Sequence, residues 1–301
     1  MKPVIIVFAL LCLPFADAFS QAGSAGFQVL RLGYSARDLS LAGSADVLTN
    51  EPIAVFLNPA GLASPQSSNG IGLDFMLTHR TYIAGTSIDL FGTRFQAGST
   101  AFGTSLLLSS VPDIQVRTVP GPPQGTFSAK DFVWAGGIAR KFGNWDVGLS
   151  AMFLYEKLFV YESTGFAFNG GVQYVPVENV DLGLSAGNIG GTTAMISQSI
   201  ALPTFVRAGA SYKKYVGSDF SITGFASVTS FKSGGTSPGI GAEVSYGNYL
   251  KLRGGYSTGD DLSGFSFGAG VAYNFIRFDY SYIPLKLDFG NSQTFTLSFV
   301  L

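Results

Sequence analysis

The chain has 301 residues, 47% of them apolar and only 12% charged, with 39 glycines, 27 phenylalanines and a net charge of −1. So low a charge excludes an ordinary soluble domain, in which about a quarter of residues are charged, and the near-zero balance points to no nucleic-acid partner. The one long apolar run, 4–16, is too short for a spanning helix, which needs about 20 such residues.

That run has Lys2 before it and Ala16-Asp17-Ala18 after it, the charged, apolar and small-residue parts of a secretory signal. Residues 1–18 therefore read as a signal peptide cut after Ala18, with Ala22 as the alternative site. Cys12 lies inside it, so the rest of the chain has no thiol for disulfides, nucleophilic catalysis or metal binding. Residues 19–69 have a character of their own. The stretch 35–48 predicts a short helix with Ser35 as its cap and Asp38 in its first turn. The run Asn58-Pro59-Ala60-Gly61-Leu62 then breaks regular structure, because proline lacks the N–H donor and biases Asn58 away from helix.

From residue 70 onward, segments of about ten residues alternate between large apolar and small or polar side chains, the period-two pattern of a strand with one greasy face. Between 164 and 176, Phe166, Phe168, Val172 and Tyr174 share one face, and Ala167, Asn169, Gly171 and Gln173 the other. About 14 strands are predicted: 70–79, 81–91, 100–118, 127–142, 145–161, 164–176 and 180–190, then 203–214, 218–230, 237–246, 249–258, 263–274, 276–284 and 293–301. Even-numbered connections are short turns, such as Gly143-Asn144 and Gly247-Asn248. Odd-numbered ones are longer, such as 119–126 with its three prolines, 191–202, 231–236 and 285–292, apart from tight links near Arg80 and Glu162. An all-β fold follows: a transmembrane antiparallel barrel spanning 70–301, in an outer membrane, with one set of turns in the periplasm and one set of loops at the cell surface.

In the second half of the barrel, Val206, Ile240, Leu252, Phe267, Phe278 and Leu297 fall on the apolar face, and Arg207, Lys213, Glu243, Lys251, Arg253, Arg277 and Asp279 on the other. A Lys or Arg facing lipid at mid-depth costs about 2–4 kcal/mol, so these charges point into the lumen. They are of mixed sign. They read as mutually paired groups that stiffen the wall, more than as a selective ring, and they disfavour an apolar conduit in that half.

No catalytic, cofactor or metal site is predicted. His79 is the only histidine, and Ser87, its one tempting partner, lies about 26 Å away along an extended strand, with no acid clearly placed to orient the pair. Asp260-Asp261 lacks the alternate spacing of a calcium loop. The glycine-rich piece 187–191 is followed by no helix that would present its N-terminus to a phosphate.

The stretch 30–63, LRLGYSARDLSLAGSADVLTNEPIAVFLNPAGLA, resembles the N-terminal signature of the PorV/PorQ family through Gly33, Ala36-Arg37, Ala42-Gly43 and above all Asn58, Pro59, Ala60 and Gly61. Further matches are GTFSAKDF at 125–132, YEKLFVYESTGFAFNGGVQY at 155–174, LRGGY at 252–256 and FDYSYIP at 278–284. The resemblance implies a barrel with the fold of the long-chain fatty acid transporter FadL, its mouth occupied by an N-terminal hatch over 19–69. It also implies a non-enzymatic accessory or docking role in protein secretion of type IX kind. Its partners would be outer-membrane lipid, secretion-system components and exported proteins. The alternative is a FadL-like channel for uptake of small molecules, hydrophobic ones included.

Overall fold

The computed structural model describes residues 26–64, 71–195, 199–259 and 264–301. Fourteen strands run in chain order. The first seven are β1 Ile71–Thr81, β2 Ser87–Ala97, β3 Thr100–Val116, β4 Gly125–Phe142, β5 Trp145–Leu158, β6 Tyr161–Val177 and β7 Val180–Thr192. The rest are β8 Phe205–Val216, β9 Phe220–Phe231, β10 Gly235–Tyr246, β11 Leu250–Ser257, β12 Phe265–Tyr273, β13 Ile276–Pro284 and β14 Asn291–Val300. Each pairs antiparallel with its neighbours, and β1 closes the barrel against β14 in the register Phe75 to Phe299 and His79 to Phe295.

The outer face is apolar all round. Leu149, Phe166, Ile240, Leu252 and Phe265 are exposed there, and such a surface on a closed barrel is stable only in lipid. Turns 98–99, 143–144, 178–179 and 274–275 join strands at the end where β1 begins and β14 finishes; loops 117–124 and 285–290 lie at the other. The short-turn end is the periplasmic one in barrels of this kind.

The first hairpin departs from the sequence expectation. Alternation in β1 continues through Thr81, with Arg80 buried and facing inward, so the connection falls at 82–86 and β2 starts at Ser87. The turn depends on positive φ at Ala84 (53°) and Gly85 (71°), and an alanine gives no warning of that conformation. The tight link near Glu162 falls at 159–160, where Phe159 has φ 59°.

Residues 26–64 lie inside the barrel. Two short helices, α1 Ala36–Ser40 and α2 Ala54–Leu57, and three 3-10 turns make up this segment. The single helix expected over 35–48 ends at Ser40, because Ala42 and Gly43 take positive φ and reverse the chain. The Ser35 hydroxyl caps α1 by accepting from the Asp38 N–H at 3.1 Å. Residues 1–25, which include the predicted signal and Cys12, lie outside the described residues, as does Asp260-Asp261.

Candidate functional site

The N-terminal segment runs the length of the lumen. At the loop end, the Gly26 N–H donates to the Ala201 carbonyl at 3.2 Å and the Phe27 N–H to Glu156 Oε2 at 3.3 Å. Arg31 donates to the Gly234 carbonyl at 3.1 Å and lies 4.6 Å over the Phe231 ring. At the turn end, the Ser64 hydroxyl donates to Gln173 Oε1 at 2.9 Å.

The wall is shaped to the segment's backbone. A Cβ at Gly148 would overlap the Pro59 carbonyl, one at Gly171 the Asn58 side chain, and one at Gly255 the Leu41 carbonyl. These glycines give the close approach that any larger residue would deny. Asn58 anchors the lower turn: its Nδ2 donates to the Val47 carbonyl at 2.7 Å and the Val172 carbonyl at 3.2 Å, while its Oδ1 accepts from the Ala60 N–H at 3.2 Å. Pro59 opens the 3-10 turn Pro59–Ala63, where a missing donor does no harm. Replacing Asn58 with alanine should cost about 1–3 kcal/mol, because the Ala60 N–H is left buried without its partner and the Val47 carbonyl keeps only Gln173 Nε2. Faster protease cleavage within 26–64, with the barrel still resistant to heat in detergent, is the expected readout.

The seam between segment and wall has two chemistries. Toward β1–β6 it is mainly apolar, crossed by hydrogen bonds from Arg94, Ser105, Ser150, Asn169 and Gln173 to backbone carbonyls of the segment. Ile53, Val55, Phe56 and Leu62 are buried against Met76, Leu90, Leu107, Val133 and Leu154, and Tyr34 packs on Phe56 with ring centroids 5.2 Å apart. Each such side chain contributes about 1.5–3 kcal/mol by leaving water. Toward β8–β14 it is mainly polar, with Leu41 and Ala45 packed on Phe225 and Leu39 on Ile283 as its apolar contacts. Arg253 reaches Glu243 and Asp279, both at 2.6 Å, and Arg277 pairs with Asp279 at 2.8 Å and with Glu51 of the segment. Lys251 lies 3.8 Å from Glu243. Buried hydroxyls fill the wall between them, among them Thr223, Ser245, Ser281, Thr294 and Thr296.

Of the charges singled out in the sequence, Glu243, Lys251, Arg253, Arg277 and Asp279 form one connected network. Arg207 stands apart, 3.4 Å from Asp46 of the segment and bonded to the Thr229 hydroxyl at 2.8 Å. Sequence reasoning missed that the segment's own charges, Arg37, Asp38, Asp46 and Glu51, form ion pairs inside the lumen. It also missed the buried pair Asp74–Arg94 at 2.6 Å, whose arginine donates to the Ser64 carbonyl at 2.9 Å. Inward parity on β1 and β2 would have found that pair once the hairpin was framed correctly.

Across the loop end of the lumen lies a cavity of about 810 Å³ bordered by Arg31, Leu39, Asp46, Asp131, Arg207 and Phe231. His79 is elsewhere, exposed on the outer face. Contrary to the expectation of no orienting acid, its Nδ1 lies 2.7 Å from Oδ1 of Asp89, directly opposite on β2. Ser87 is registered against Thr81 instead. The 187–191 piece is part of β7.

A closed 14-strand barrel with an apolar exterior is an integral outer-membrane protein, and its fold is of the FadL type. Among solved structures it is similar to the toluene transporter TbuX of Ralstonia pickettii, with 13% identity over 89% of this chain and 97% of that one and a TM-score of 0.59. It is also similar to the toluene transporter TodX of Pseudomonas putida (14% identity, 89% and 96% coverage, TM-score 0.58). A Pseudomonas aeruginosa FadL homologue matches with 12% identity, 89% and 98% coverage and a TM-score of 0.54. No protein-family model matches the sequence, and no curated protein matches it.

Proposed function

We propose that the chain is an outer-membrane channel for small molecules, closed in this state by its own residues 26–64. The observation that carries the reading is the segment's course through the whole lumen, beneath a cavity of about 810 Å³ at the loop end. A chamber of that size suits a small ligand. The likeness in fold to proteins described as toluene transporters supports a channel over the secretion accessory that the PorV/PorQ resemblance implies. The surface connections, 117–124 and 285–290 among them, are also short for receiving a protein cargo. The proposal assigns the chain no catalysis.

The test is osmotic swelling of proteoliposomes that contain the full chain. Wild type should admit a small neutral solute slowly, and Arg277→Gln, which weakens the tie to Glu51, should admit it faster. No permeation by either protein would sink the channel reading.

A further inference from the structure

The two chemistries of the seam are not equally easy to open. Parting the segment from β1–β6 would expose Ile53, Val55, Phe56 and Leu62 together with the apolar wall they cover, at a cost that grows with the area wetted. Parting it from β8–β14 exposes ion pairs and hydroxyls. A buried ion pair stands near balance between attraction and lost hydration, so water entering that seam replaces most of what it breaks. The cavity at the loop end reaches the polar side through Arg207 and Thr229 on the wall and Gly43 and Asp46 on the segment, and it also borders β1, β3 and β4 at Arg80, Ser109 and Asp131.

We infer that solute crosses between the segment and the β8–β14 wall, and that it is a neutral, hydroxyl-rich molecule of the sugar or polyol class. The inference rests on the channel reading above. Going inward, the path meets Thr229, then Glu243 and Arg253, then Ser245, Asp279 and Thr296, all buried and all polar. A hydrocarbon there would strip water from charges and offer no hydrogen bond in return. A strongly charged solute would meet its own sign as often as the opposite one, because acids and bases alternate along the network. A neutral polyol supplies donors to the carboxylates and acceptors to the guanidinium groups, and it exchanges with water at little cost.

Two engineered disulfides separate the seams. Ser44 Cβ lies 3.7 Å from the position of a Cβ on Gly239, within the roughly 3.5–4.5 Å span of a disulfide, so Ser44→Cys with Gly239→Cys locks the polar side. Val55 Cγ1 lies 3.2 Å from the position of a Cβ on Gly137, so Val55→Cys with Gly137→Cys locks the apolar side. Cys12 is the only native cysteine. Heat-modifiable migration on gels establishes that each variant is folded, and reductant reverses each lock in the same sample. Glucose permeation into proteoliposomes should fall to the protein-free background with the polar lock oxidised, return on reduction, and persist with the apolar lock oxidised. Glucose flux that survives the polar lock, or that only the apolar lock stops, overturns the route. Entry of the hydrophobic dye N-phenylnaphthylamine into cells expressing the chain, with no glucose flux in liposomes, overturns the solute class and leaves the channel standing. If neither probe crosses with any variant, reduced or oxidised, the channel reading fails and the inference goes with it.

Discussion

Gly148→Leu is expected to hold the barrel open. The side chain would occupy the space of the Pro59 carbonyl and the Ala60 N–H, which belong to a turn buried on all sides. Neither group can retreat, since Asn58 and Ser64 pin the turn from both ends. Overpacking of this kind costs about 1–3 kcal/mol, and the upper end shifts the seated-to-released ratio by roughly a hundredfold. The strand itself keeps its pairing with β4 and β6, so the barrel should still fold. Single-channel recording should then show frequent or steady openings where wild type is mostly closed. Gly136→Leu is the matched control, because a Cβ there meets nothing within 4 Å. Equal conductance in the two variants would refute the idea that the glycine seat holds the segment closed.

Asp279→Ala is expected to be the most damaging single change to stability. Asp279 is fully buried and bonds Arg253 through one oxygen and Arg277 through the other. Its removal leaves the guanidinium of Arg253, whose side chain has no exposed surface, with Glu243 alone. Breaking a buried pair in this way costs about 3–5 kcal/mol. Urea unfolding in detergent should show a midpoint well below wild type. Asp279→Ala with Arg253→Met should recover part of the loss, because no charge is then stranded; a double variant weaker than the single one would argue against the pairing account.

Both changes act on features that differ in how far the sequence discloses them. Side-chain parity alone puts Phe265, Phe267 and Val271 on one face and Arg277 and Asp279 on another, and the alternation of short and long connections makes the closed barrel readable before any coordinates. The first hairpin is not readable in that way. Its turn sits on a positive-φ alanine, and a strand frame that stops at 91 leaves out Arg94. The partner of Arg277 is hidden for a different reason. Glu51 lies 226 residues earlier, and no local pattern reports a contact of that range. The wall glycines are visible as glycines, yet a residue without a side chain carries no sign of what approaches it. Gly148 and Gly171 acquire meaning only once Pro59 and Asn58 are seen against them.

The segment's long-range bonds also bear on how the barrel comes together. Pairing of β1 with β14 joins the two ends of the sheet, and closing so large a loop is the slow, entropically costly step in an all-β topology. The Ala36 N–H donates to the Thr296 hydroxyl across 260 residues, and the Phe27 N–H reaches Glu156 across 129. A core segment that touches β5 through Phe27 and β14 through Ala36 acts as a mandrel: sheet wound around it already has its free edges held close. On this account, residues 26–64 shorten the conformational search of the nascent sheet. Deleting them would slow assembly as well as empty the lumen.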